Sequence, residues 1–395
     1  MDSSVLSVPV AERDRSDRVA RSHAIPWQLT AVVFAATSVI VGLIWDISWH
    51  MTIGRDTFWT PAHLAIYTGG AVAGLSCGFE VLRRSFFASP KPADGVTVWR
   101  IFNGPLGGWL AIWGAVAMLT SAPFDDWWHD AYGLDVKIIS PPHALLALGF
   151  LMILAGALLL AQAAQSRDTS HADGASSTPW IVAYTSGLVL TMLAIFTTEY
   201  HDRVLMHSGI FYITSALVFP FVLVAAGRAT RLRFAATATA LVYTVVTCAQ
   251  VWILPLFPAT PMLGPIRQNV THMVPMDFPL LLIVPALAID LLLRATAARG
   301  AWTRALVMGL AFVVVFTAAQ WPFGDFLMTP SARNAFFRAD NFPYMLPTDA
   351  WGVIGKFFEE PAAELMRGFG VAAVVAVLSA RAGLGWGNWL SAVKR

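Results

Sequence analysis

Asp46-Ile-Ser-Trp49-His50-Met-Thr-Ile-Gly-Arg55-Asp56-Thr57-Phe-Trp-Thr60-Pro61-Ala62-His63 closes one long apolar segment and opens the next. Asp46 and His50 are four residues apart, which on a helix places them on one face with Cβ atoms about 5–6 Å apart. Thr60 fits a helix N-cap and Pro61 a first helical position, so His63 falls in the first turn of the next helix. Two adjacent helix ends can then aim a carboxylate and two imidazoles at one point, as a metal site requires. The fold follows from the same reading: long apolar helices joined by short polar turns at one membrane face.

A second version of the pattern lies at Asp125-Asp126-Trp127-Trp128-His129, followed by Ser140-Pro141-Pro142-His143. The spacings are Asp-x3-His-x12-His and Asp-x3-His-x13-His, and two matches at equivalent places indicate an internal repeat. Weaker echoes follow at Glu199, His201 and His207, and at Gln250 and His272. Of nine histidines, His23 and His171 lie in polar stretches; the other seven fall at the ends of apolar segments on the motif side. Imidazole with carboxylate suits copper, zinc and iron alike. Arg55 and Asp56 read as supports that orient a ligand histidine. Trp45, Trp49, Trp59, Trp127 and Trp128 crowd the same face, either as an interfacial aromatic belt or as a dry shell around the metal.

The first motif resembles the metal motif of the C subunit of copper membrane monooxygenases, the particulate methane and ammonia monooxygenases. That subunit carries Asp-x-x-Trp-His, Arg-Asp-Thr and Thr-Pro-x-His, matched here by Asp46, Trp49, His50, Arg55, Asp56, Thr57, Thr60, Pro61 and His63. The family's second site follows Asn-x3-His-x13-His; His129 and His143 match it, and Asp125 stands where the family has Asn. The resemblance covers residues 40–165 and extends to no part of 180–395. It implies copper, one or two ions, bound by Asp46, His50 and His63 and by His129 and His143 with Asp125. It also implies further membrane subunits or a homo-oligomer, and a quinol or protein electron donor. The readings are an oxygenase-type subunit acting on a small apolar molecule or ammonia, a copper-handling membrane protein without catalysis, and a structural subunit of a membrane complex.

Composition sets the class. The chain is 57% hydrophobic and 13% charged, with a mean hydropathy of +0.62, which places it among all-α integral membrane proteins. With a net charge of +2 and no basic run, no nucleic-acid partner is expected. No glycine-rich phosphate loop, Ser-His-Asp ordering or CxxC occurs. Cys77 and Cys248 lie in apolar segments as core residues.

Ten spans are expected, starting near Trp27, Pro61, Leu106, Pro141, Pro179, His207, Phe234, His272, Ala305 and Pro361 and forming five outward-facing hairpins. The expected divisions are a cytoplasmic segment 1–26, metal-motif hairpins 27–165, a linker 166–178, further hairpins 179–385 with an outer loop 322–360, and a tail 386–395. Arg83, Arg84, Lys91, Arg100, Arg228, Arg231, Arg233, Arg294, Arg299 and Arg304 lie in alternate loops. By the positive-inside rule those loops and both termini are cytoplasmic. The metal motifs then face the outer, periplasmic side of the inner membrane.

Overall fold

In a computed structural model, residues 25–88, 95–133, 140–168 and 176–394 are described; the side chains of His129 and Val353 lie outside that description, as do residues 1–24 and Lys137. The described chain is almost wholly helical. Its helices are α1 (Trp27–Thr52), α2 (Pro61–Leu82), α3 (Leu106–Tyr132), α4 (Pro141–Arg167), α5 (Thr178–Phe196), α6 (Gly209–Ala229), α7 (Ala235–Ile253), α8 (Ile283–Ala295), α9 (Ala301–Leu327), α10 (Ala350–Ile354) and α11 (Ala362–Ala392). A π turn, Arg83–Phe87, extends α2. One small antiparallel ribbon pairs Val96–Val98 with Phe102–Gly104.

Among the described residues, nine helices are long and apolar enough to cross a membrane: α1 to α7, α9 and α11. Their outer faces remain apolar, with Phe34, Leu75, Leu119 and Val314 all exposed. A helix that is hydrophobic all round and still exposed on one side is built for lipid rather than water.

The first four helices form two antiparallel hairpins, α1 with α2 and α3 with α4. Small residues let them close. A Cβ on Gly107 would lie 2.5 Å from the Gly156 carbonyl, and one on Gly114 would lie 2.7 Å from the Gly149 carbonyl. Close backbone approach of this kind is how helices associate where lipid offers no hydrophobic drive. Beyond α5 the expected sequence of hairpins gives way: α6 packs most extensively on α11, and α5 packs more on α7 than on α6. Two apolar clusters result, one mainly on α1 to α5 and the other mainly on α6, α7, α8, α9 and α11.

The span expected from His272 is not a helix over its full length. Residues 257–282 are irregular and α8 has only 13 residues, about 20 Å of a hydrocarbon layer about 30 Å thick. Pro275 and Pro279 explain the break, since proline removes a donor and turns the preceding residue away from the helix. Buried side chains satisfy the extended backbone. Ser48 donates to the Val274 carbonyl at 2.6 Å, and Thr52 accepts from Val274 N–H at 2.7 Å. Gln250 brackets Met276 through its own amide, accepting at 3.0 Å and donating at 3.1 Å. Tyr243 and Gln320 accept from Leu280 and Leu281 N–H at 3.1 and 3.0 Å. Irregular backbone at such depth survives only with partners of this kind. At the other end of the chain α11 runs on to Ala392, so most of the stretch expected as a tail from residue 386 is helix.

Candidate metal centre

The centre is built where α1 ends and α2 begins. Asp46 and His50 occupy successive turns near the end of α1. The chain then turns through Gly54, at φ +80°, a conformation that favours glycine. Tyr344, buried in the loop after α9, covers that turn; a Cβ on Gly54 would lie 2.2 Å from its hydroxyl. Tyr344 N–H donates to the Met51 carbonyl at 3.1 Å, and Met262 N–H donates to the Ile53 carbonyl at 2.9 Å. Trp49 Nε1 donates to the Arg55 carbonyl at 2.9 Å, and Thr57 N–H to Thr60 Oγ1 at 2.8 Å. The turn is therefore held from both sides, and it carries Asp56 back over the helix ends.

His63 sits in the first turn of α2. Its Nδ1 lies 2.8 Å from the Thr57 carbonyl, and a carbonyl only accepts, so Nδ1 carries the proton. In the neutral ring Nε2 is then a bare lone pair. It faces Asp46 Oδ1 at 3.1 Å and Asp56 Oδ2 at 3.4 Å. His50 Nε2 approaches Asp46 Oδ2 at 3.8 Å and Asp56 Oδ2 at 3.7 Å. Asp46 Oδ1 is closed to solvent and makes no hydrogen bond among the described residues. Two acceptors turned on each other at 3.1 Å repel unless a cation lies between them, either a second proton on His63, which the neighbouring carboxylates favour, or a metal ion. The nitrogen–oxygen separations of 3.1 to 3.8 Å bracket the ligand–ligand spacing of about 3.4 Å that a tetrahedral ion with 2.1 Å bonds imposes. The donor set fits a divalent copper, zinc or iron ion. Asp56, expected as a support, belongs to the converging group itself: ligand atoms of Asp46, His50 and Asp56 lie within 4.8 Å of one another.

The second motif is partly assembled. Ser140 caps α4, and its Oγ lies 3.0 Å from His143 Nδ1. His143 Nε2 points at Asp125 Oδ1, 3.7 Å away on α3. His129 follows Asp125 by one helical turn; its side chain lies outside the described residues. Rings gather beside this pair, with Trp128 and Tyr132 at 4.5 Å and Phe124 and Trp127 at 5.9 Å between centroids. At the first centre Tyr67 stands between Phe58, at 4.9 Å, and His63, at 6.1 Å.

The four weaker positions are not brought together. Glu199 is exposed in a short 3-10 turn. His201 is buried, with Nδ1 at 3.2 Å from Thr197 Oγ1 and Nε2 at 3.0 Å from Ser215 Oγ. Burial pushes its pKa down to about 3, so it stays neutral. His207 is stacked between Trp321 and Phe357 at 3.9 and 3.7 Å, with Nε2 on the Trp321 carbonyl at 3.2 Å. His272 is exposed and turns to its neighbour Thr271 at 3.0 Å. Compared with family models, with curated proteins and with solved structures, the chain finds no match.

Proposed function

We propose that this chain is a copper-binding membrane protein acting as an oxygenase-type subunit on a small apolar molecule or ammonia. Asp46, His50, Asp56 and His63 would hold one ion; Asp125, His129 and His143 would hold a second. The observation that carries the reading is the convergence of two imidazoles and two carboxylates, with His63 Nε2 3.1 Å from a solvent-shielded Asp46 oxygen. The motif's resemblance to the copper monooxygenase C subunit selects copper among the ions that such a site suits. Arginine-rich loops at the opposite helix ends support an outer, periplasmic placement.

Bound copper would supply a redox-active Lewis acid. The chain's own residues do the rest. The Thr57 carbonyl fixes the tautomer and direction of His63. The Tyr344-braced turn holds Asp56 in place, and the nearby aromatic rings offer apolar surface for a substrate. Electrons would come from a quinol or a protein donor in a partner subunit.

Copper handling is the second reading. The His50 side chain is 49% exposed, which suits an ion that is exchanged. Metal analysis of detergent-purified protein tests both, comparing wild type with H50A/H63A and H129A/H143A. Copper in the wild type, with a share lost in each double variant, supports two centres; zinc or iron instead would reassign the ion. Oxygen-dependent turnover favours the enzyme, and transfer of copper to a chelator without turnover favours handling. A wild type that takes up no metal on loading sinks both and leaves the scaffold.

A further inference from the structure

A cavity of about 60 Å³ lies between α1, α5, α7 and the irregular stretch 276–280, enough for an ion and a few waters. Thr198 and the exposed Asp277 line its outer end, and the buried Thr191 and Tyr243 line its floor. Tyr243 stands at the middle of α7 and accepts from Leu280 N–H, so the floor reaches the centre of the bilayer. The walls present mostly oxygen lone pairs. Thr191 and Thr247 give their own protons to helix carbonyls, those of Gly187 at 2.8 Å and Tyr243 at 2.7 Å, which leaves each hydroxyl oxygen as an acceptor. The carbonyls of Asp277, Phe278 and Pro279, released where the helix breaks, accept no hydrogen bond among the described residues. Such carbonyls at membrane depth are costly without a partner.

Few donors face the same space. Both His201 nitrogens meet hydroxyls, and Gln250 turns its amide to the Met276 carbonyl at 3.1 Å. Tyr243 O–H and one Gln250 N–H remain. Arg203 lies outside the lining, held by Asp277 and the Ala339 carbonyl. Acceptors in excess of donors call for a cation. We propose that this cavity binds an alkali cation, held by the carbonyls of 277–279 and the hydroxyl oxygens of Thr191 and Thr247. A monovalent ion fits because these oxygens are neutral and the one carboxylate of the lining, Asp277, is already paired with Arg203 at 2.7 Å; a divalent ion takes several carboxylates. Broken helices at mid-membrane use unwound carbonyls for monovalent ions in this way.

The test is melting of the full-length protein in detergent, in sodium, potassium or choline chloride at equal ionic strength. It is paired with equilibrium binding of radiolabelled sodium or of rubidium, which stands in for potassium. Wild type is expected to melt higher in sodium or potassium than in choline. T191V/T247V is expected to bind the labelled ion at least about tenfold more weakly, since it lacks two oxygens that meet a charged group. H50A/H63A is expected to keep both effects, which separates this cavity from the candidate metal centre. Should the double variant fail to fold, T247V decides: its side chain is only half-buried, and a smaller loss of the same kind is expected. Equal melting in all three salts with no ion bound leaves water alone in the cavity and overturns the proposal. Ion binding unchanged in folded T191V/T247V, or lost in H50A/H63A, overturns it as well.

Discussion

His63 and His201 stand at the same end of the bundle, each near a helix terminus, and differ in what their second ring nitrogen meets. His63 gives Nδ1–H to a carbonyl and turns Nε2 on two carboxylates. His201 spends both nitrogens on hydroxyls, Thr197 and Ser215, and packs against Phe211 and Phe219. A hydroxyl can donate or accept, so His201 is content as a neutral ring. A carboxylate only accepts, so His63 needs either a second ring proton or a metal ion between its Nε2 and the carboxylates. Spacing places histidines at helix ends; the partner of the second nitrogen separates a candidate metal ligand from a core residue.

The largest effect expected from this contrast is on metal binding. H63A should weaken binding at the first centre by at least about a hundredfold, and D56N by about ten- to a hundredfold. H201A should leave metal content unchanged while lowering stability. Metal titration followed by elemental analysis reads all three, and loss of metal in H201A equal to that in H63A would erase the distinction.

Two aspartates sharpen the same point. Asp290, buried on α8, accepts from Ala236 N–H at 3.1 Å, Thr237 N–H at 2.8 Å and Thr237 Oγ1 at 2.7 Å, so it caps the first turn of α7. D290A removes all three bonds and is expected to cost about 2 kcal/mol. Asp46 Oδ1 has no hydrogen bond of its own among the described residues and faces His63 Nε2. Asp46 favours a second proton on His63, so in metal-stripped protein, at a pH high enough to leave His63 neutral, D46N should cost little, because an amide can donate to His63 Nε2. Melting of the two variants in detergent without metal checks this, and a D46N loss as large as that of D290A would mark Asp46 as structural.

Much of this was legible in the sequence, for identifiable reasons. Apolar length marks the nine long helices, and Thr60-Pro61 and Ser140-Pro141 mark the starts of α2 and α4. The broken segment reads as a span because its hydrophobicity matches one; the prolines at 275 and 279 are the signal against it. Its partners, Ser48, Thr52, Tyr243, Gln250 and Gln320, come from three other helices, and local pattern does not reveal tertiary hydrogen bonds. Asp56 reads from sequence only as a support, because its approach to His63 depends on how the turn at Gly54 is braced by Tyr344, 290 residues further on. The pairing of α6 with α11 is likewise a long-range matter.

The contrast also predicts a pH dependence. His201 is held near pKa 3 by burial, against about 6.5 in an unfolded chain. Below about 6.5 the unfolded chain takes a proton that the folded one refuses. The stability is thus complete above that pH and is lost as pH falls, at up to about 1.4 kcal/mol per unit until about pH 3. Nearby Asp202, raised by burial and by Asp277, works in the opposite sense, so the difference between wild type and H201Q isolates the histidine. The gap between their melting temperatures should narrow from pH 7 to pH 5; a constant gap contradicts a neutral buried ring.

The smallest effect expected lies at Tyr344, where the second half of the chain meets the first centre. Its ring covers Gly54 and its backbone bonds Met51, Arg267 and Gln268. Y344F keeps the ring and the backbone bonds, so metal affinity should change less than about threefold, within the range of one modest hydrogen bond. Y344A removes the cover from the turn that carries Asp56, and affinity at the first centre should fall further, with the second centre unaffected. Hydrogen exchange at Met51–Thr57 supplies a reading independent of metal: faster exchange in Y344A than in Y344F shows that the ring braces the turn. If exchange rises and metal binding does not move, Asp56 is not among the ligands, and the first centre reduces to Asp46, His50 and His63.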